Sequence, residues 1–244
     1  MPEPEPGPAA TDLAAGVAAL VTPIYDTLEA LASEVLSCRR AAGDGPCTER
    51  SLAPLEKAIA PRLAAHPSLA GMGFVAAPGV IGGLERYLLW WQRSGEDLAR
   101  LRLNLETTSV DVYDYLQMEW FQVARDHGGR AAFGPYVDYA GSGLYVVTAS
   151  VPVVLDGSFL GVAGADIEMA QLERRLIAVL RTSPLEALVV GGERRVLASN
   201  TPRWVVGSRL GGPPRPGELG TTEVVEVPEG PGWQVVLTDV AVAY

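Results

Sequence analysis

Apolar residues recur every three or four positions from Thr11 to about Arg40. Leu13, Val17, Leu20, Ile24, Leu28, Leu31, Val35 and Leu36 make one stripe. That spacing predicts a long amphipathic helix. Thr11 or Asp12 is the expected cap, and Pro23 is expected to bend or break the helix. A loop at 41–46 separates it from a second helical stretch, 51–65, which Pro67 and Gly71 end.

From residue 69 the period shortens to two. Leu69 to Ala77 and Arg86 to Arg93 read as strands joined through Pro78-Gly79 and Gly82-Gly83. Leu98 to Leu105 is a further candidate strand. Val112 to Asp126 has helical composition and is stopped at His127-Gly128-Gly129, with His127 read as a surface residue. Leu144 to Leu155 and Phe159 to Ile167 are strongly apolar strands around Asp156-Gly157-Ser158, a hairpin turn. Glu168 to Leu180 is amphipathic and helical. After Ser183-Pro184 come short strands at 187–190, 195–199, 223–227 and 234–240, with a Gly/Pro-rich loop at 207–220. The expected order is helix, mixed sheet, connecting helix, small sheet. This is an α+β, largely antiparallel arrangement. The expected boundaries are a mobile Pro/Glu tail (1–10), a long helix and loop (11–48), a larger lobe (49–182) and a small lobe (183–244). The last is too short to be stable without leaning on the rest.

Apolar residues make up 48% of the 244 positions and charged residues 20%, which fits a folded chain. The net charge is -10, and Lys57 is the one lysine among 19 basic residues. So acidic a chain lacks the basic face that nucleic acid requires. The N-terminus Met1-Pro2-Glu3-Pro4-Glu5 has no basic region and does not read as a secretory leader. No run of about 18 consecutive apolar residues stands out as a membrane span. These features predict a soluble, cytoplasmic chain without a membrane segment; a piece excised from a membrane receptor is the alternative. Cys38 and Cys47 fit no zinc spacing and suggest free thiols, one local disulfide or a redox switch. No metal or other cofactor is indicated. No phosphate loop, dinucleotide fingerprint or hydrolase elbow is present.

The remaining candidate chemistry is aromatic and acidic. Asp166 ends an apolar strand, where it either caps the following helix or faces a ligand. Trp120 with Tyr113 and Tyr115, interleaved with Asp111 and Asp114, suits either core or pocket. Tyr87 and Trp91 share one strand face and Trp90 takes the other. Tyr87 or Trp91 is expected over a ligand or in cross-strand packing. Asp138, after Pro135-Tyr136, suits a turn.

Three segments carry a resemblance. They are Gly134-Pro135-Tyr136-Val137-Asp138, the strand ending Ser150-Val151-Pro152-Val153, and Gly161-Val162-Ala163-Gly164-Ala165-Asp166-Ile167. Together they resemble the double Cache family of small-molecule sensor domains. That resemblance implies a long N-terminal helix followed by two PAS-like antiparallel-sheet lobes, with the ligand in the larger one. It implies ligand contacts from Asp166, Tyr136, Asp138 and the pair Trp120-Phe121, with Met118 where the family's arginine stands. The loss of that arginine favours an amine, or an amino acid whose carboxylate another arginine holds. Aromatic walls suit an ammonium group. The expected function is non-enzymatic sensing, signalled to a separate partner protein. A small hydrolase or lyase, and a dimerisation module paired through its N-terminal helix, are the alternatives.

Overall fold

The computed structural model describes residues 7–242 except Asp44, Glu96 and Leu219; the side chains of Pro8 and His127 are also outside the description. The surface role expected for His127 and most of the expected N-terminal tail therefore fall outside it.

Helix α1 (Pro8–Ala41) starts earlier than its sequence suggests. Proline at the first helical position has a preset φ and no N–H to lose. The Gly7 N–H before it donates to Glu223 at 2.7 Å, so neither Thr11 nor Asp12 caps the helix. The helix runs through Pro23 without a break. Just beyond, Tyr25 is anchored, its hydroxyl donating to the Ala131 carbonyl at 2.8 Å. Most of the apolar stripe of α1 is buried, with Leu20 and Leu36 half-buried against the same core. Each fully buried side chain contributes about 1.5–3 kcal/mol of burial. The stripe offered for pairing with a second copy is thus taken up by the chain's own core. By length and composition α1 could also cross a membrane; here its apolar face lies on the sheets.

A 3₁₀ turn (Glu49–Leu52) leads into α2 (Ala53–Ala65). Strands β1 (Leu69–Ala76), β2 (Tyr87–Ser94), β3 (Asp97–Arg100), β4 (Ala131–Val137), β5 (Tyr145–Leu155) and β6 (Ser158–Glu168) form one antiparallel sheet, ordered β3-β2-β1-β6-β5-β4. Asp156 (φ 50°) and Gly157 (φ 79°) both take the left-handed region. That gives the tight turn whose twist suits the β5–β6 hairpin. Helix α4 (Met169–Leu180) leads into β7 (Leu185–Val190), β8 (Val196–Ser199), β9 (Thr221–Glu226) and β10 (Gln234–Ala241), a second antiparallel sheet ordered β8-β7-β10-β9.

Each sheet turns one face to α1 and α4, and these faces share one core. Leu28, Phe74, Val147 and Leu176 meet there with Val189 and Val235 of the small sheet and with Trp233 just before β10. The small sheet leans on the larger part through that core and through Arg130. This side chain donates to Glu29 at 2.8 Å, Asp26 at 3.0 Å and the Glu229 carbonyl at 3.0 Å. The opposite face of the larger sheet is covered by irregular chain and the helix at 119–127, that of the small sheet by irregular chain, and each holds a separate apolar cluster.

Two segments depart from the expected secondary structure. Strand β3 ends at Arg100, and 101–114 runs as irregular chain. The helix expected over 112–126 is confined to α3 (Glu119–His127), after a short 3₁₀ turn at Tyr115–Gln117. Asp114 is the cause: its carboxylate accepts the Leu116 N–H at 3.2 Å and pairs with Arg86 at 2.9 Å, which starts a new turn.

Candidate binding cavity

The outer face of the larger sheet is built around glycine. Gly71 and Gly73 of β1 and Gly164 of β6 leave a shallow floor, and the Trp90 indole of β2 lies on it. A Cβ on Gly71 would sit 2.6 Å from Trp90 Nε1, and one on Gly164 would lie 3.5 and 3.6 Å from the six-membered ring. Above this floor is a cavity of about 350 Å³ counting its mouth. Its interior, in this closed form, has room for little more than a water molecule. Val75, Leu88, Leu101 and Leu103 make its apolar walls; Trp90, Tyr113, Trp120 and Tyr136 its aromatic ones; Thr148, Asp138 and Asp166 its polar groups. Among the described residues no lysine or arginine lines it.

Asp166 is 7% exposed. It stands directly opposite Thr148 in the β5–β6 register, and the Thr148 hydroxyl donates to Oδ1 at 2.7 Å. Having donated its proton there, Thr148 accepts from the Tyr136 hydroxyl at 2.8 Å. No main-chain amide among the described residues occupies the carboxylate. Helix α4 takes Glu168, not Asp166, as its cap position, and without a side-chain bond. The capping alternative is therefore excluded for Asp166. Burial pushes its pKa up from 3.8 to about 7, and the Asp138 charge adds to this, while the Thr148 hydrogen bond opposes it. Holding Asp166 ionised thus costs about 4 kcal/mol relative to water, a cost that a bound cation would offset.

Asp138 is 8% exposed and serves two ends. It accepts from Gly141 N at 3.1 Å and Ser142 N at 2.7 Å, which ties its own loop, while it lines the cavity. Burial and then the two carboxylates raise the Tyr113 pKa above the ordinary phenol range; burial and Asp166 do the same for Tyr136. Both stay protonated and carry no charge, so each can donate one hydrogen bond and accept others.

Five of the ten residues singled out in the sequence meet at this cavity: Asp166, Trp120, Tyr136, Asp138 and Tyr113. The other five lie outside its lining. Tyr115 is a buried pillar whose hydroxyl donates to Ala76 O at 2.7 Å and accepts from Tyr87 N at 3.0 Å. Phe121 packs behind the wall, its ring 5.3 Å from Tyr115 and 5.6 Å from Phe159. Met118 sits at the start of α3, against the same cluster. Tyr87 and Trp91 point to the opposite sheet face, into the α1–α2 side of the core. There burial pushes the Tyr87 hydroxyl up to about 12. Trp90, on the other parity of β2, takes the place expected of them. Thr148, Leu101 and Leu103 were also not singled out. The two-residue turn alone would set Thr148 opposite Ala165; a register shift between Val153 and Val154 brings Asp166 there, and neither that shift nor the wall from 101 and 103 is readable in the sequence.

With this geometry in hand, comparison with known proteins is direct. The family model of the first PDC sensor domain of methyl-accepting chemotaxis protein-like receptors matches residues 55–174. Residues 55–174 are a Cache-type (PDC) sensor domain. A curated relative, the methyl-accepting chemotaxis protein TlpQ of Pseudomonas aeruginosa, is 24% identical over 139 residues, 49% of this chain and 20% of that receptor. The chain thus spans a small part of its curated relative's length. The ligand-binding domain of the Pseudomonas aeruginosa amino acid chemoreceptor PctB, solved with L-Arg, superposes with a TM-score of 0.60 at 15% identity, over 96% of this chain and 92% of that one. The extracellular domain of the putative histidine kinase soHK1S-Z6 gives 0.56 at 16%, over 93% and 91%. At such identities the structures show that the Cache fold continues through both lobes. These relatives do not support the cytoplasmic placement expected from the sequence. One is described as an extracellular domain, and the curated one is a chemotaxis receptor.

Proposed function

We propose that the chain is the ligand-binding part of a sensor that takes a small cationic metabolite in the larger lobe and passes its state to a separate signalling protein. The observation that carries this reading is the buried Asp166 carboxylate, held by one hydroxyl at a cavity with no basic side chain in its lining. An ammonium group there would restore the charge of Asp166 and face the Trp90 and Trp120 rings. An amine fits this lining better than an amino acid, because a carboxylate would meet Asp138 and Asp166 without an arginine. The relatives favour an extracytoplasmic position for such a lobe.

Titration calorimetry of the chain against alkylamines, diamines and amino acids tests the reading. Saturable binding of at least one amine is expected, weakened about 100-fold in Asp166→Asn. Failure of every amine to bind, or undiminished binding by Asp166→Asn, contradicts it.

A further inference from the structure

The small sheet has an outer face too, and it is not closed. Leu188 of β7 and Val236 of β10 form the floor of a second cavity, of about 390 Å³ counting its mouth. Residues of the stretch 204–218, with Thr221, close over it. Trp204, Leu210 and the pair Pro213-Pro214 supply apolar walls, and Thr221, Arg215 and Glu218 supply the polar groups. It occupies the same place on the second sheet as the Asp166 cavity does on the first: the face turned away from α1.

Its chemistry is different. Thr221 is 7% exposed, and its hydroxyl has no hydrogen-bond partner among the described residues. That hydroxyl lines the cavity and is free to donate to a ligand oxygen. Arg215 and Glu218 stand at the rim, and no ion pair joins them to each other or to another described residue. The lining therefore offers two donors suited to a carboxylate, one carboxylate suited to an ammonium, and an apolar floor. A monocarboxylate would leave Glu218 opposing it, and an amine would leave Arg215 opposing it. A molecule bearing both charges on a short apolar body uses all three groups.

We infer that the small lobe holds a second ligand site, selective for a small aliphatic zwitterion. The carboxylate would be taken by Arg215 and Thr221, the ammonium by Glu218, and the aliphatic part by Leu188, Leu210 and Val236. This site is independent of the amine reading, since it shares no residue with the larger cavity.

The test uses the whole chain with L-leucine as probe, alongside isovalerate and isopentylamine, each of which lacks one of the two charges. Calorimetry is expected to show L-leucine binding that survives Asp166→Asn and weakens at least tenfold in both Arg215→Gln and Glu218→Gln. These are exposed loop residues whose replacement leaves the fold intact. Either half-ligand should bind at least tenfold more weakly than L-leucine. No binding of L-leucine, binding abolished by Asp166→Asn, or binding indifferent to both rim variants would each overturn the site. Isovalerate binding as well as L-leucine would overturn the zwitterion assignment. Amine binding, measured on the same samples, reports separately on the larger lobe.

Discussion

The two lobes solve one architectural problem with opposite chemistry. Each places a sheet between the helical core and an outer layer, which is irregular chain with α3 in the larger lobe and irregular chain in the small one, and each leaves a gap under that layer. In the larger lobe the gap is set deep in the sheet by glycines, and its charged groups are buried and of one sign. In the small lobe the floor is ordinary aliphatic strand, and the charged groups of both signs sit at the rim. Buried charge selects strongly, because desolvation magnifies both attraction and penalty. Rim charge selects weakly, because water screens it. The larger lobe is therefore built to discriminate strongly on one charge, and the small lobe more modestly, through its two rim charges together.

The sharpest way to break this contrast is Asp166→Asn. It should weaken amine binding about 100-fold, the equivalent of about 2–3 kcal/mol for a charge-assisted contact. It should not destabilise the unliganded fold, since it removes a buried charge. Thermal melting with and without amine checks both halves.

Next in size is the glycine floor. A methyl at Gly71 meets Trp90 Nε1 at 2.6 Å and the Trp91 carbonyl at 2.9 Å. Gly71→Ala should therefore cost about 1–3 kcal/mol in denaturant unfolding and push the indole into the cavity. At Gly212 in the small lobe a Cβ has no neighbour within 4 Å. Gly212→Ala should stay within about 0.5 kcal/mol of the wild type. Equal effects at the two sites would erase the distinction between a constrained floor and a loose cover.

pH sharpens the comparison further. The pKa of Asp166 lies above its unfolded value, so the folded state binds the extra proton between about pH 4 and pH 7. The contribution of this group to stability without ligand therefore falls as pH rises through that window and levels off above about 7. Amine affinity runs the other way, rising about tenfold from pH 6 to pH 8 as the carboxylate ionises. Thr148→Val gives the smallest effect. Losing its hydrogen bond removes the contact that lowers the Asp166 pKa, so the affinity profile should shift to higher pH by a few tenths to one unit.

What the sequence disclosed follows from where local chemistry rules. The β5–β6 hairpin was legible because Asp156-Gly157 and a period of two determine turn and strands together; Thr148 opposite Asp166 was not, because a register shift between Val153 and Val154 moves the pairing by one residue. The stripe of α1 was equally plain. Its start was not, because Pro8 and a distant Glu223 replace a local cap. The alternation of Tyr87, Trp90 and Trp91 was readable, yet which parity faced the cavity depended on the α1–α2 layer covering the other side. Segment 101–118 was the least legible. Its path is dictated by Asp114 pairing with Arg86 and by Leu101 and Leu103 closing over Trp90, contacts that leave no period in the chain.

The most direct measurement is the proton count on binding, obtained by titrating an amine at pH 7 in two buffers of different ionisation enthalpy. A cation seated on Asp166 should release about half a proton per amine bound, and Asp166→Asn should release none. Wild-type binding with no proton release would contradict the claim that this buried carboxylate receives the ligand's charge.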